Sequence, residues 1–465
     1  MTQPTYTDLV ELIVEMRAEL DSLRSENAAL KVRVADLEAR LRANSQNSSK
    51  PPSTDGPAKP ATRSLRKASK RKPGGQDGHR GQTLAQVADP DVIIRHEPSG
   101  CRDCGADLTG ARQVNCSRRQ VFDIPPIKVH VTEHQIITRR CRCGKTTSGD
   151  SPTYAAAPVQ YGPVMCAVII YLFMGQFLSK KRTAQAISEL FSIPISDGTV
   201  SAVTSRAAAD LTEFLTQVNA RIKAAAVVHF DETGLRCQGR NHWLHSASTP
   251  QYSRLFFHPR RGTEAMDAMG ILPGYTGTAV HDAWSPYDTY TAAGHALCNS
   301  HLLRELQSVT DHHATTAAPQ GWCWAQQITD AILALHHAAA DHSVPAAATN
   351  QRTTEIRHAL LAATHPAGAL GRKHRALARR ISKREVDYLK FAHNPTIPFS
   401  NNAAEQEIRM AKIRQKISGT MRTEKGAGHF ADLRSYLQTT AKHGIKALAA
   451  LTQLTSRNPW LPGYP

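Results

Sequence analysis

Two groups of residues in this chain have the types and spacing to hold metal ions. Four of its nine cysteines form two tight pairs, Cys101-x-x-Cys104 and Cys141-x-Cys143. A short spacing lets one turn present two sulfurs, and four thiolates satisfy zinc's tetrahedral preference without leaving an open position for chemistry. The pattern predicts a structural zinc site, with Cys116, His130 and His134 between the pairs as alternative ligands. The other group is carboxylates. Asp231 lies at the polar end of the apolar run AAAVVHFDETGLR, Asp282 near the end of GTAVHDAW, and Glu405 in the first turns of the helix-like SNNAAEQEIRMAKIRQKISG. Hard carboxylate oxygens suit Mg²⁺ or Mn²⁺, and two such ions about 4 Å apart serve the attacking and leaving oxygens of an in-line phosphoryl displacement. Carboxylates also cap strands and coat solvated helices, so on residue types alone both readings stand. Asp288 and Glu407 are rival ligands, Glu407 being disfavoured because i and i+2 point to different helix faces.

The elements that must position these groups follow from hydrophobic period. Strand-like AAAVVHFDETGLR is followed by HWLHSAST and YSRLFFHPRR, a helix over GTEAMDAMGIL, the strand GTAVHDAW and a candidate strand at HALCNSH. The domain that carries the carboxylates is expected over residues 223–309 and 394–455, split by a helical insertion over 310–393. Trp322 and Trp324 in that insertion are core residues or stacking platforms for a base. Upstream, residues 155–222 read as helices. RTAQAISELF, the turn SIPIS and DGTVSAVTSRAAADL resemble a helix-turn-helix, with Ser196 or Asp197 as N-cap and Thr199, Ser201, Thr204, Ser205 and Arg206 turned towards DNA. Such helix pairs also occur in ordinary cores.

The N-terminal segment, residues 7–43, carries a heptad seam. Leu9, Met16, Leu23, Leu30 and Leu37 occupy d, while Ile13, Leu20, Asn27, Val34 and Leu41 occupy a. A lone Asn at a fixes register, and in a parallel pair Glu19–Arg24, Glu26–Lys31 and Arg33–Glu38 are complementary. The expectation is a homo-oligomer, a dimer in the first instance; the alternative is one surface helix packed on its own chain. Residues 44–98 form a Pro/Ser/Gly-rich linker in which Arg63, Arg66, Lys67, Lys70, Arg71, Lys72 and Arg80 make a cationic arm suited to phosphates. The zinc-binding module is expected over residues 99–150, with strand-like alternation in QVFDIPPIKVHVTEHQIITRR.

Composition narrows the class. The chain has 465 residues and a net charge of +18, with a pI near 9.7. That length predicts several structural units, and the charge points to nucleic acid. Tight cysteine pairs without a visible leader point to a reducing, cytoplasmic and nucleoid-associated setting. The longest apolar run, VMCAVIIYLFMGQFL, is shorter than the ~20 residues a membrane-spanning helix needs, which argues against a membrane role.

FDETGLR, HDAWSPY, LCNSHLLREL and NNAAEQEIRMAKIRQKISG, together with the heptads, the NSSKPPSTDG linker and the cysteine pairs, resemble the insertion sequence 66 family of transposases. The resemblance runs through nearly the whole chain. It implies an RNase H-like catalytic domain of the DDE type that cleaves DNA at the element's ends and joins the freed 3′-hydroxyl to target DNA. It also implies that Asp231 bridges two Mg²⁺ ions, with Asp282 and Glu405 holding one each. Cys298, His301 and Arg304 fall in the family-like segment after the fourth strand as supporting residues. Relatives often carry D-G-Y-x-x-Y and N-x-x-E-R, where this chain has D-A-W-S-P-Y and N-x-x-E-Q. Arg409, one helical turn beyond Glu405, is expected on the same side in place of the missing arginine. Companion proteins of the same element are further possible partners. A DNA-binding regulator derived from a transposase, or a nuclease that cuts without joining, are the alternative functions.

Overall fold

The computed structural model describes residues 6–42, 83–125, 127–152, 157–316, 321–340, 346–365 and 372–463. The arm residues Arg63, Arg66, Lys67, Lys70, Arg71, Lys72 and Arg80 lie outside the described residues. The chain divides into two bodies, Thr62–Glu133 and the remainder.

Among the described residues of Thr62–Glu133, regular structure is sparse. An antiparallel bridge, Gly100 to Asp107, closes a turn that carries Cys101 and Cys104. Nearby, Val87 N–H donates to Gln120 Oε1 (2.8 Å) and the Gln120 amide returns a bond to Val87 O (2.9 Å). The alternation expected from residue 120 onwards yields a strand only at Thr138–Arg140, in the other body. Alternation alone does not make a strand. A ladder needs a partner, and Pro125 offers no N–H to one.

The larger body begins with helix α1, Tyr6–Arg42. Ile13, Met16, Leu20, Leu23, Leu30, Val34 and Leu37 are all about half-exposed along it. Strands β1 (Thr138–Arg140) and β2 (Thr146–Ser148) form a hairpin. Helices follow as α2 (Pro163–Ile170), α3 (Lys180–Phe191), α4 (Asp197–Ala209) and α5 (Thr212–Lys223), with a π-turn at Tyr171–Gly175 after α2. The apolar run thus becomes a buried helix, with Ile169, Ile170, Phe173 and Met174 in the core. No helix among the described residues is long and apolar enough to cross a membrane.

Then comes the sheet: β3 (Val227–Cys237), β4 (Arg240–Ser248), β5 (Ser253–His258), helix α6 (Thr263–Met269), β6 (Thr278–His281) and β7 (Gly294–Leu297). Its order is β5-β4-β3-β6-β7. β4 pairs antiparallel with both β3 and β5, while β6 and β7 run parallel to β3. β3 extends well past Asp231, so this carboxylate sits mid-strand rather than at an end. β7 stops at Leu297, and Asn299–His301 already belong to helix α7 (Asn299–Thr316), not to the candidate strand.

Helices α8 (Trp324–Ala340), α9 (Ala346–Thr364), α10 (Arg372–Lys383), α11 (Glu385–Tyr388) and α12 (Lys390–His393) come next. They share a core with Val280, Ala296 and Leu297 of the two parallel strands. Trp324 is buried there, whereas Trp322 is exposed and donates to Gln327 Oε1. The chain closes with α13 (Asn402–Ser418), α14 (Glu424–Lys442) and α15 (Ala447–Thr455), which pack with α2–α5 against the antiparallel side of the sheet.

An uncovered edge strand exposes unpaired N–H and C=O groups. On β5 these go to α14. Ser253 N–H donates to Thr439 Oγ1 (3.0 Å), Leu255 N–H donates to Ser435 Oγ (2.8 Å), and both hydroxyls return bonds to the same residues' carbonyls. The entry to β6 is equally tight. Tyr275 donates its hydroxyl to Ala225 O, and a Cβ on Gly277 would collide with that hydroxyl and lie 2.7 Å from Ala225 O. Gly277→Ala is therefore expected to lower stability by about 1–3 kcal/mol, measured as a reduced denaturation midpoint. An unchanged midpoint would show that the crossing yields freely.

Candidate active site

The carboxylates come together where β3 runs past the end of its parallel neighbour β6 and helix α13 begins. Alternation along β3 puts Asp231 on the face of His229, whose Nδ1 lies 2.9 Å from Asn401 Oδ1 at the start of α13. The Asn401 amide donates to Phe230 O (2.6 Å), so its Oδ1 is an acceptor and His229 carries the proton on Nδ1. Asn401 is the N-cap position of α13, but its side chain makes no cap and is committed to β3 instead. Asp282 follows β6, the neighbour of β3, and its Oδ1 accepts Trp284 N–H (2.9 Å). Glu405 lies in the first turn of α13, with its N–H bonded to Asn401 O.

Burial, then the adjacent Glu232, Asp282 and Glu405, hold the Asp231 carboxyl well above the usual carboxylate range. Asp282 and Glu405 are therefore both near enough to Asp231 to disfavour its charge. Glu232 was missed, although it is next in line. It is buried, accepts Arg261 Nε (3.0 Å) and Nη2 (2.6 Å), and receives the Tyr287 hydroxyl (2.7 Å). Arg261 also stacks over Trp284 at 3.8 Å and Trp243 at 4.8 Å. Burial and then Asp282 raise the Glu232 pKa, which Arg261 partly offsets, whereas Asp231 lacks such a cationic partner among the described residues.

Three of the four expected supporting residues gather at Glu405. Ligand atoms of Cys298, His301 and Glu405 lie within 4.8 Å of one another. His301 Nδ1 and Arg304 Nη2 each approach Glu405 Oε1 to 3.8 Å. Burial, then Arg304, lowers the His301 pKa, which keeps the ring neutral near pH 7. Burial raises the Cys298 pKa, and its Sγ accepts Asn401 N–H, so this residue remains a thiol with a structural bond. Arg409, by contrast, is exposed, and the guanidinium beside Glu405 comes from α7 rather than from the same helix. The rival ligands are committed elsewhere. Asp288 pairs with Arg384 at 2.7 Å, and Glu407 binds Ser253 Oγ and Lys442 Nζ, each at 2.8 Å.

A divalent cation fits this donor set. Glu405 Oε1 is buried with no hydrogen-bond partner, and Asp231 is desolvated among carboxylates, a combination that an ion would relieve.

The two cysteine pairs each form the same kind of turn. Cys101 N–H donates to Ala106 O and Gly105 N–H to Cys101 O; Cys141 N–H donates to Lys145 O and Gly144 N–H to Cys141 O. Gly105 (φ +72°) and Gly144 (φ +85°) take the left-handed conformation the turns require. Backbone N–H groups of Cys104 and Asp103, and of Cys143, lower the thiol pKa values of Cys101 and Cys141.

α3, the turn and α4 form the expected helix pair, with Ser196 as N-cap accepting Thr199 N–H at 3.1 Å. Thr204 is buried with its hydroxyl on Val200 O, so it does not belong to a DNA-facing set. Ser201 bonds Asp197 O, Thr199 bonds Ser196, Ser205 faces His429 of α14, and Arg206 is exposed.

Two adjacent strands and a helix bring acidic residues near one another, and each cysteine pair forms a tight turn; both are donor sets of the kind that metal-binding proteins use. Comparison with known families makes this more specific. The model of the transposase IS66 family matches residues 158–429, that of the zinc-finger binding domain of transposase IS66 matches residues 98–144, and that of a family of unknown function matches residues 1–85. The chain belongs to the IS66 family of transposases, and a DNA partner and a zinc-finger domain come with that membership. No curated protein matches it.

Ala283, between Asp282 and Trp284, has φ +71°. A left-handed non-glycine residue costs about 1–2 kcal/mol, against roughly 0.5–1 kcal/mol for the extra backbone freedom of an unfolded glycine. Ala283→Gly is expected to stabilise by about 0.5 kcal/mol, read as a small rise in melting temperature. A fall would mean that the methyl's packing outweighs the strain.

Proposed function

We propose that the protein is a DDE transposase with an RNase H-like catalytic domain, cleaving DNA at the ends of its insertion sequence and transferring the 3′-hydroxyl into target DNA. The observation that carries the reading is the convergence of Asp231, Asp282 and Glu405 from β3, the end of β6 and the start of α13. The sheet order, with three antiparallel strands followed by two parallel ones, agrees with the proposed fold class.

In this reading Asp231, Asp282 and Glu405 are the residues that would hold two divalent ions, Mg²⁺ or Mn²⁺. Bound ions would activate the attacking oxygen and stabilise the leaving one. Arg261 keeps Glu232 out of the ligand set, while His301 and Arg304 orient Glu405. Water attacks the phosphodiester at the element's end first, and the freed 3′-hydroxyl then attacks target DNA. Asp231→Asn removes a ligand worth several kcal/mol of charge stabilisation, so nicking of end-bearing DNA should fall on the order of a thousandfold with DNA binding retained. Wild-type protein that binds without nicking would be a DNA-binding regulator, and nicking without joining would make it a nuclease.

Cys101, Cys104, Cys141 and Cys143 are proposed to hold one structural zinc, supported by their matching turns and by the zinc-finger match that spans all four. Metal analysis of the full chain should give one zinc, and Cys141→Ser should lose it. Stoichiometric zinc retained in that variant would exclude this ligand set. The half-exposed seam of α1 supports a parallel coiled-coil dimer, and the cationic arm and Arg206 would add phosphate contacts.

A further inference from the structure

The starts of α3, α4 and α14 line one cavity of about 440 Å³, within the range of ligand sites. Each helix is capped by its own hydroxyl, with Ser179, Ser196 and Thr423 accepting Arg182, Thr199 and Gly426 N–H respectively. Helix starts carry a partial positive charge and free N–H groups, a setting that attracts anions. The lining side chains reinforce this. Lys180, Lys181, Arg422 and Lys425 line the cavity, against the single carboxylate of Asp197.

Arg414 of α13 provides the independent observation. It also lines the cavity, is only 8% exposed, and its Nη1 is buried with no hydrogen-bond partner. Its guanidinium stacks on Phe430 at 5.3 Å, and burial lowers its pKa to about 10. No ion pair to Arg414 forms among the described residues, so a desolvated cation stands at the wall of a basic cavity without a counter-charge. Such a group is costly unless an anion completes it. Arg414 lies nine positions beyond Glu405 on the same helix and so half a turn out of phase with it. The cavity is therefore a separate surface from the carboxylate cluster.

We propose that this cavity binds a phosphate group of the DNA backbone, with Arg414 as its buried guanidinium and the three helix starts as its N–H donors. The proposal rests on the DNA-binding part of the function above and deepens it. It assigns α4 a role in positioning DNA through its N-terminus rather than in reading bases.

The test measures binding of the full chain to end-bearing duplex across a salt series, comparing wild type with Arg414→Met and with Lys425→Gln. The lysine is exposed and its replacement should not disturb folding. Each variant should weaken binding roughly tenfold and flatten the slope of log affinity against log salt by about 0.9, the loss of one phosphate contact. Arg414→Met should also melt higher than wild type in the absence of DNA, because an unpaired buried charge has gone. A parallel arm with inorganic phosphate should raise the melting temperature of wild type more than that of Arg414→Met if a free phosphate suffices. No phosphate effect beside weakened DNA binding would assign the site to the polymer. Unchanged affinity and slope in both variants overturn the cavity site and leave the DNA-binding reading intact. A wild-type chain that does not bind DNA overturns both.

Discussion

The site depends on a single buried side chain, Asn401. Its amide holds Phe230 O, its Oδ1 takes the His229 proton, and its backbone N–H donates to Cys298 Sγ. Each candidate group is then displaced by a fixed covalent distance from that clamp. Asp231 follows Phe230, Glu405 is one helical turn beyond Asn401, and His301 is three residues beyond Cys298. A buried amide whose oxygen and nitrogen both have partners favours one geometry, because a shift leaves groups unpaired at about 1–3 kcal/mol each. The clamp thus converts sequence neighbours of three distant segments into spatial neighbours of one another.

Within that frame the acidic residues are unequal. Glu232 meets a bidentate arginine and a tyrosine hydroxyl, and the arginine is itself held between two tryptophans. Those partners offset part of the cost of its burial. Among the described residues, Asp231 has its neighbour's N–H as a favourable partner, against three like charges. A buried carboxylate without a cationic partner beside one that an arginine and a tyrosine hold distinguishes which of the two is open to an external cation, a distinction that adjacency in FDETGLR alone cannot make.

Much of this was legible from local pattern. Period-2 runs located β3 to β6, the helical period located α6 and α13, and the turn residues located the helix pair. What failed was set by long-range contact. Helical spacing suggested Arg409 as the partner of Glu405, but the arginine that approaches comes from α7, at the far side of the chain segment between them. Asn401 read as a helix cap because Asn is common there, yet its partners are on β3, which no local rule can supply. The alternation after residue 120 needed a second strand and a run of N–H donors, and only Thr138–Arg140 found them. Thr204 shares the apolar face of α4 with Val200, Val203 and Ala207, so its hydroxyl turns inward to the preceding turn.

The helices between Asp282 and Glu405 are more than an interruption. Asn299, the first residue of α7, donates its amide to Tyr388 O of α11 (3.0 Å) and to Phe399 O (3.3 Å). Its backbone N–H also goes to Phe399 O. α7 starts there, one residue after Cys298 and two before His301, so the register of the supporting residues is fixed by helices that are themselves remote from the carboxylates. Those helices in turn bury Val280, Ala296 and Leu297, the inner residues of the two parallel strands. Removing the helical segment would expose that face and free the turn after β7 together with the residues that orient Glu405. The chain between the second and third carboxylates therefore has a physical reason to be long. It covers the parallel half of the sheet and holds the third carboxylate's neighbours in place from behind.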